Sequence, residues 1–123
     1  MAIRDSMRAS ATRYLRPGER LEAVIGAQTA SAYLAVVTGY LLFPLVNRYR
    51  IIAVTPDRIL VLDAGRMSLK TARGVVTELP RFTRLGPGKG VWHRIPAGTE
   101  NLRVHRRFFK DIENADHPAA QFT

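Results

Sequence analysis

Two β-branched runs, "RYRIIAV" and "RILVLD", flank Thr55-Pro56-Asp57, and this arrangement limits the fold more than any other feature of the chain. Branched side chains at Cβ suit a pleated surface. Pro presets the dihedral of a turn's second residue, and Asp suits the position after it. The stretch from Tyr49 to Asp63 therefore reads as a β-hairpin. Its central residues are apolar on both faces, so it has to be covered on both sides, as in a sandwich or barrel.

The neighbouring sequence supplies more strands. "ERLEAVIGAQ" alternates Leu21, Ala23, Ile25 and Ala27 against Glu22, Val24 and Gln28, which reads as a first strand. "GVVTELP", "RFTRLG", "VWHRI" and "ENLRVH" follow at close spacing, with Gly-Pro-Gly-Lys-Gly and Pro96-Ala97-Gly98 as turns. In "RRFFKDIENAD" the period changes: Phe108, Phe109, Ile112 and Ala115 recur at helical spacing, and His117-Pro118 closes the helix. Arg106, Arg107 and Lys110 open this helix and Asp111, Glu113 and Asp116 end it, an order that opposes the helix dipole. An Arg107–Asp111 pair at i,i+4 is expected to offset part of that cost. At the other end, Ile3, Met7, Ala11 and Tyr14 lie about a turn apart among Arg4, Arg8, Arg13 and Arg16. This predicts a short frayed helix or a basic amphipathic arm over 1–16, ended by Pro17-Gly18.

With these elements in place, "LRPGERLEAVIG", "YRIIAVTPDRILVLD" and "LRVHRRFFKDIENAD" resemble the small bacterial pleckstrin-homology-like (PH-like) domains over Leu15 to Asp116. The resemblance implies a mainly β fold: a barrel of two orthogonal antiparallel sheets with roughly seven strands and a C-terminal capping helix. The domain would span 17–117, with a helical or hydrophobic insert at 31–46 between strands 1 and 2 and a tail at 118–123. Phosphoinositide-binding PH domains usually place basic residues in and around that connection. Here Lys and Arg are absent from Leu21 to Asn47.

Composition removes whole classes of chemistry. Cysteine is absent, so there is no disulfide framework, thiolate metal site or cysteine nucleophile, which fits a reducing cytoplasm. His93, His105 and His117 recur every twelve residues and make no metal-spaced pair. "LGPGKGVW" fails as a phosphate loop, because Thr83 and Gly90 occupy positions that require Gly and Ser or Thr. The serines have no nucleophile-elbow setting, and no carboxylates are paired for acid–base work. The expectation is a protein that is not an enzyme and has no cofactor, metal or catalytic residue.

Nineteen Lys+Arg against ten Asp+Glu leave a net charge of +9, which favours acidic partners. Arg20, Arg48 and Arg50, with Arg106 and Arg107, are the candidate residues for binding an anionic surface. The second candidate is the uncharged "YLAVVTGYLLFPLV", Tyr33 to Val46. As a helix it would extend about 21 Å, short of the ~30 Å hydrocarbon core. Lengthening it to span would consume the first strand. Leu34, Val37, Leu41, Leu42, Phe43 and Leu45 are therefore expected to form a hydrophobic contact surface. The combined expectation is a basic binding or assembly module, peripheral at a membrane or homo-oligomeric, with an anionic membrane or an acidic protein as partner. A single-span anchor is one alternative. A nucleic-acid-binding small barrel is another, suggested by "RFTR", "VWHR" and "VHRRFFK" but less favoured, because Phe108 and Phe109 suit the core.

Overall fold

A computed structural model describes residues 3–29, 47–65, 69–88, 90–98 and 100–116. The described residues form a mainly β fold: one curled, half-barrel antiparallel sheet of six strands with two short helices. The strands are β1 (Ala23–Gln28), β2 (Tyr49–Val54), β3 (Arg58–Gly65), β4 (Gly74–Pro80), β5 (Trp92–Ala97) and β6 (Glu100–His105). Their order across the sheet is β4-β3-β2-β1-β6-β5.

The hairpin read from the sequence forms β2 and β3, with Ile51 opposite Leu62, Ile52 opposite Val61 and Ala53 opposite Leu60. Its turn is fixed by buried Thr55, whose hydroxyl donates to the Glu19 carboxylate and accepts from the Asp57 and Arg58 amides. β1 is buried at every position, and β2 at every position but Tyr49. That two-sided cover is what the apolar hairpin demanded.

Among the described residues there are six strands where roughly seven were expected, because "RFTRLG" does not join the ladder. Arg81 and Phe82 form a turn, and the segment after them is held by side chains. The Leu85 and Gly86 amides donate to the Asp116 carboxylate at 2.8 and 2.9 Å, and the Leu85 carbonyl accepts from His93 Nε2. β5 runs on through Pro96 and Ala97, leaving Gly98 (φ 61°) as the turn.

Helix α1 (Ile3–Ala11) is a part of the core, with Met7 and Ala11 fully buried. Ser10 Oγ accepts from the Ala72 amide, and the Tyr14 hydroxyl donates to the Ala72 carbonyl, so the arm is tied down along its length. At the other terminus a 3₁₀ turn (Arg106–Phe108) leads into α2 (Phe109–Asp116), and Phe108, Ile112 and Ala115 are buried. A Cβ added at Gly26 would stand 2.9 Å from the Phe108 ring and 2.5 Å from Leu69 Cδ1, so β1 needs glycine where the ring crosses it. The expected Arg107–Asp111 pair does not form. Arg107 lies in the 3₁₀ turn, where i,i+4 geometry is absent, and α1 brings Arg4 to Asp111 at 2.9 Å instead.

The sheet has one weak seam. β1 and β6 share a single registered pair, Gln28 opposite Arg103. Arg50 reinforces this seam from β2. Its guanidinium takes both Glu100 oxygens at the start of β6 (3.1 and 2.9 Å) and Asp63 of β3 at 2.8 Å. The reach to β6 passes over β1, where the residue opposite Arg50 is the small Ala27.

Candidate anion-binding site

The fold separates the arginines singled out in the sequence. Arg20 is exposed ahead of β1 and lines a hollow of about 610 Å³ beside Pro56, Arg81, Phe82, Arg84 and Asp116. Arg48 precedes β2, which pairs with the far end of β1. A six-residue strand is about 20 Å long, so Arg20 and Arg48 sit at opposite ends of the sheet. Arg50 is buried in its clamp on Asp63 and Glu100, so it serves the seam rather than an external anion. Arg106 and Arg107 are exposed just after β6. Leu34, Val37, Leu41, Leu42, Phe43 and Leu45 lie outside the described residues, as does the rest of the insert.

A different basic surface emerges on the β5–β6 hairpin. Alternation buries Ile95, Ala97, Leu102 and Val104 on one face and leaves Trp92, Arg94, Arg103 and His105 on the other. The register sets Trp92 opposite His105 and Arg94 opposite Arg103. The first pair makes an edge-to-face contact, with centroids 5.1 Å apart and rings at 77°. The second places two full positive charges in directly opposed positions, which costs stability in any sheet. Arg103 is held in place by donating to the Thr29 carbonyl at 2.8 Å.

Beside this face lies a cleft of about 310 Å³. Gly26, Ala27 and Gln28 of β1 contribute to its lining, along with Tyr49, Leu69, Trp92, Arg103, His105, Arg107 and Phe108. Phe108 is clamped by guanidinium groups of Arg4 and Arg107, each 5.0 Å from the ring centre. His105 Nδ1 accepts from the Arg107 amide, which fixes the start of the 3₁₀ turn. Among the described residues no carboxylate lines the cleft.

That absence contrasts with how the acidic residues are used elsewhere. Seven carboxylates are tied to Arg4, Arg50, Arg58, Arg81 and Arg84. The most deeply buried is Glu19, against Arg58. The Arg58 guanidinium, with help from the Arg16 amide and the Thr55 hydroxyl and against the cost of burial, lowers the Glu19 pKa to about 2. Arg58 is in turn shifted upward by Glu19 and Glu78. Glu19 and Glu22 thus serve Arg58 and Arg81 at the Arg20 end of the sheet. Among the described residues no group of three His, Asp or Glu is placed to hold a metal ion.

No family model matches the chain, and neither the curated proteins nor the solved structures contain a match to it. The functional reading therefore rests on the geometry. Sequence reasoning missed Arg103 and Tyr49, and it touched Trp92 and Arg94 only through the basic and aromatic run "VWHR". The alternation in "VWHRI" and "ENLRVH" was the available signal. What it lacked was the register that brings the two strands' arginines together.

Proposed function

We propose that this chain is a non-enzymatic PH-like binding module that docks on an anionic membrane surface, using arginines around the root of its uncharged insert. The observation that carries this reading is where the insert joins the sheet. The chain leaves after Thr29 and returns at Arg48, where these two residues bond backbone to backbone and the Arg48 amide also donates to Thr29 Oγ1. Arg103 donates to the Thr29 carbonyl, and Arg94 stands opposite Arg103. Guanidinium groups thus gather at the base of a segment, 30–46, that contains no charged residue.

The magnitudes require both parts. A basic residue near an anionic leaflet contributes about 1 kcal/mol, so Arg48, Arg94, Arg103 and Arg107 together support roughly millimolar attraction. Each apolar side chain buried in the bilayer interface adds about 1.5–3 kcal/mol, so two or three from the insert carry the affinity to the micromolar range or tighter. No helix among the described residues is long and apolar enough to cross a membrane.

Co-sedimentation with phosphatidylglycerol-containing vesicles tests the proposal. Binding is expected at low salt and lost at high salt. It should weaken sharply in Leu41→Asp/Leu45→Asp and moderately in Arg94→Glu/Arg107→Glu. A wild-type protein that stays in the supernatant at low salt overturns the reading. If that unbound protein also shows a mass above the monomer by light scattering, the insert serves self-association instead.

A further inference from the structure

A bilayer surface leaves one feature unused. Lipid headgroup phosphates need only charge, yet the cleft beside the hairpin is walled by aromatic rings as well as arginines. Trp92 and His105 pack edge to face on one side, with Tyr49 and Phe108 also in the lining. Trp92 remains 39% exposed, so its ring has surface left for a ligand. Arg107 and Arg103 flank the rings, and Arg94 extends the positive charge along the same face.

We propose that this cleft binds single-stranded nucleic acid, one base stacking on Trp92 and the neighbouring phosphates lying on Arg103, Arg107 and Arg94. The proposal goes beyond the membrane reading. Rings that offer a stacking face, beside guanidinium groups, are the combination by which sequence-tolerant single-strand binders work. The volume, about 310 Å³, suits one base with its sugar. Charge complementarity selects a polyanion, because among the described residues no carboxylate lines the cleft and two arginines oppose each other beside it. Duplex is disfavoured, since its bases are already stacked on each other and cannot enter a walled cleft.

The chain has one tryptophan, and it stands at this site, so intrinsic fluorescence reports occupancy directly. Titration with short oligothymidylate and oligouridylate is expected to quench Trp92. With about three phosphates neutralised, the log–log salt slope should be about −2, or roughly twentyfold weaker binding from 50 to 200 mM salt. By anisotropy of a labelled oligonucleotide, Trp92→Ala should weaken binding about tenfold while Trp92→Phe, which keeps a ring, retains most of it. Arg107→Gln should lower the slope to about −1.4. Oligonucleotide binding that ignores Trp92→Ala would place the contact elsewhere and overturn the proposal. Inorganic phosphate competing as well as the oligonucleotide would reduce the cleft to a bare anion site. Quenching by phosphatidylglycerol vesicles but not by oligonucleotides would overturn it in favour of the membrane surface.

Discussion

The β1–β4 part of the sheet and the β5–β6 hairpin treat charge in opposite ways. In the first, β2 and β3, buried on both faces, carry arginines that are matched to carboxylates: Arg50 to Asp63 and Glu100, Arg58 to Glu19 and Glu78. In the second, one face is open and Arg94 stands opposite Arg103 with no acid between them. A chain with ten carboxylates and nineteen basic residues cannot neutralise every cation. It spends its acids where burial makes an unpaired charge expensive. The surplus is left where solvent, or a ligand, can meet it.

Removing the packing that locks the two parts together should have the largest effect. Phe108 is buried where β6 turns into α2 and lies against Gly26 of β1. Phe108→Ala is expected to cost about 3–5 kcal/mol in urea denaturation. A loss below half a kcal/mol would mean that the ring does not fill the junction.

Arg50 links the two parts through charge, and its loss should cost less. Arg50→Met strands Asp63 and Glu100, but these are 39% and 27% exposed, so water compensates in part. About 2 kcal/mol is expected, below the range for a fully buried pair. The loss should be local. Amide exchange in β5 and β6 is expected to speed up before that in β2 and β3, because the β1–β6 seam has only one registered pair to fall back on. Uniform acceleration would show that the hairpin is not a separable unit.

These particulars show what could be read from residues alone. The β2–β3 hairpin was legible because its pattern is local: two branched runs and a Thr-Pro-Asp turn. The α2 face was legible for the same reason. One failure was local, the Arg107–Asp111 pair, because Arg107 lies in the 3₁₀ turn ahead of α2; the others were non-local. "RFTRLG" alternates like a strand, but it is held by Asp116 and His93, which sequence reasoning could not bring near it. Arg50 reads in the sequence as a residue for an anionic surface. Its true partners lie 13 and 50 residues away in the chain. The Arg94–Arg103 opposition needs the register of a hairpin whose strand β5 includes Pro96 and Ala97, two residues that the sequence assigns to the turn.

The matched part should also reveal itself in acid. Glu19 has its pKa lowered to about 2 by Arg58, so its stabilising effect is complete above the ordinary value of 4.5. It is lost as the pH falls from there through about 2. The stability advantage of wild type over Glu19→Gln should be constant from pH 7 to 5 and shrink steadily below that, by about 1–2 kcal/mol in all after solvent screening. The hairpin face holds no such carboxylate, so Arg103→Gln should show no matching acid-dependent difference. An advantage that stays flat from pH 5 to 2.5 would sever Glu19 from the Arg58 pair.

The smallest effect separates the two parts most cleanly, because it has the opposite sign. Every substitution above removes a favourable contact, whereas Arg94→Thr removes an unfavourable one. Like charges in directly opposed positions cost a few tenths to about 1 kcal/mol, and Thr suits a strand better than Arg does. The variant should therefore melt slightly higher than wild type, by about 0.5 kcal/mol at low salt. Salt screens exposed charges over about 10 Å at 0.1 M and about 3 Å at 1 M, so the gain should fade as sodium chloride is added. A polyanion seated across Arg94 and Arg103 would relieve the same repulsion, and wild type should gain more stability from it than Arg94→Thr does. If Arg94→Thr is instead less stable at every salt concentration, Arg94 has a structural partner. The open face would then be a neutralised surface like the rest of the sheet.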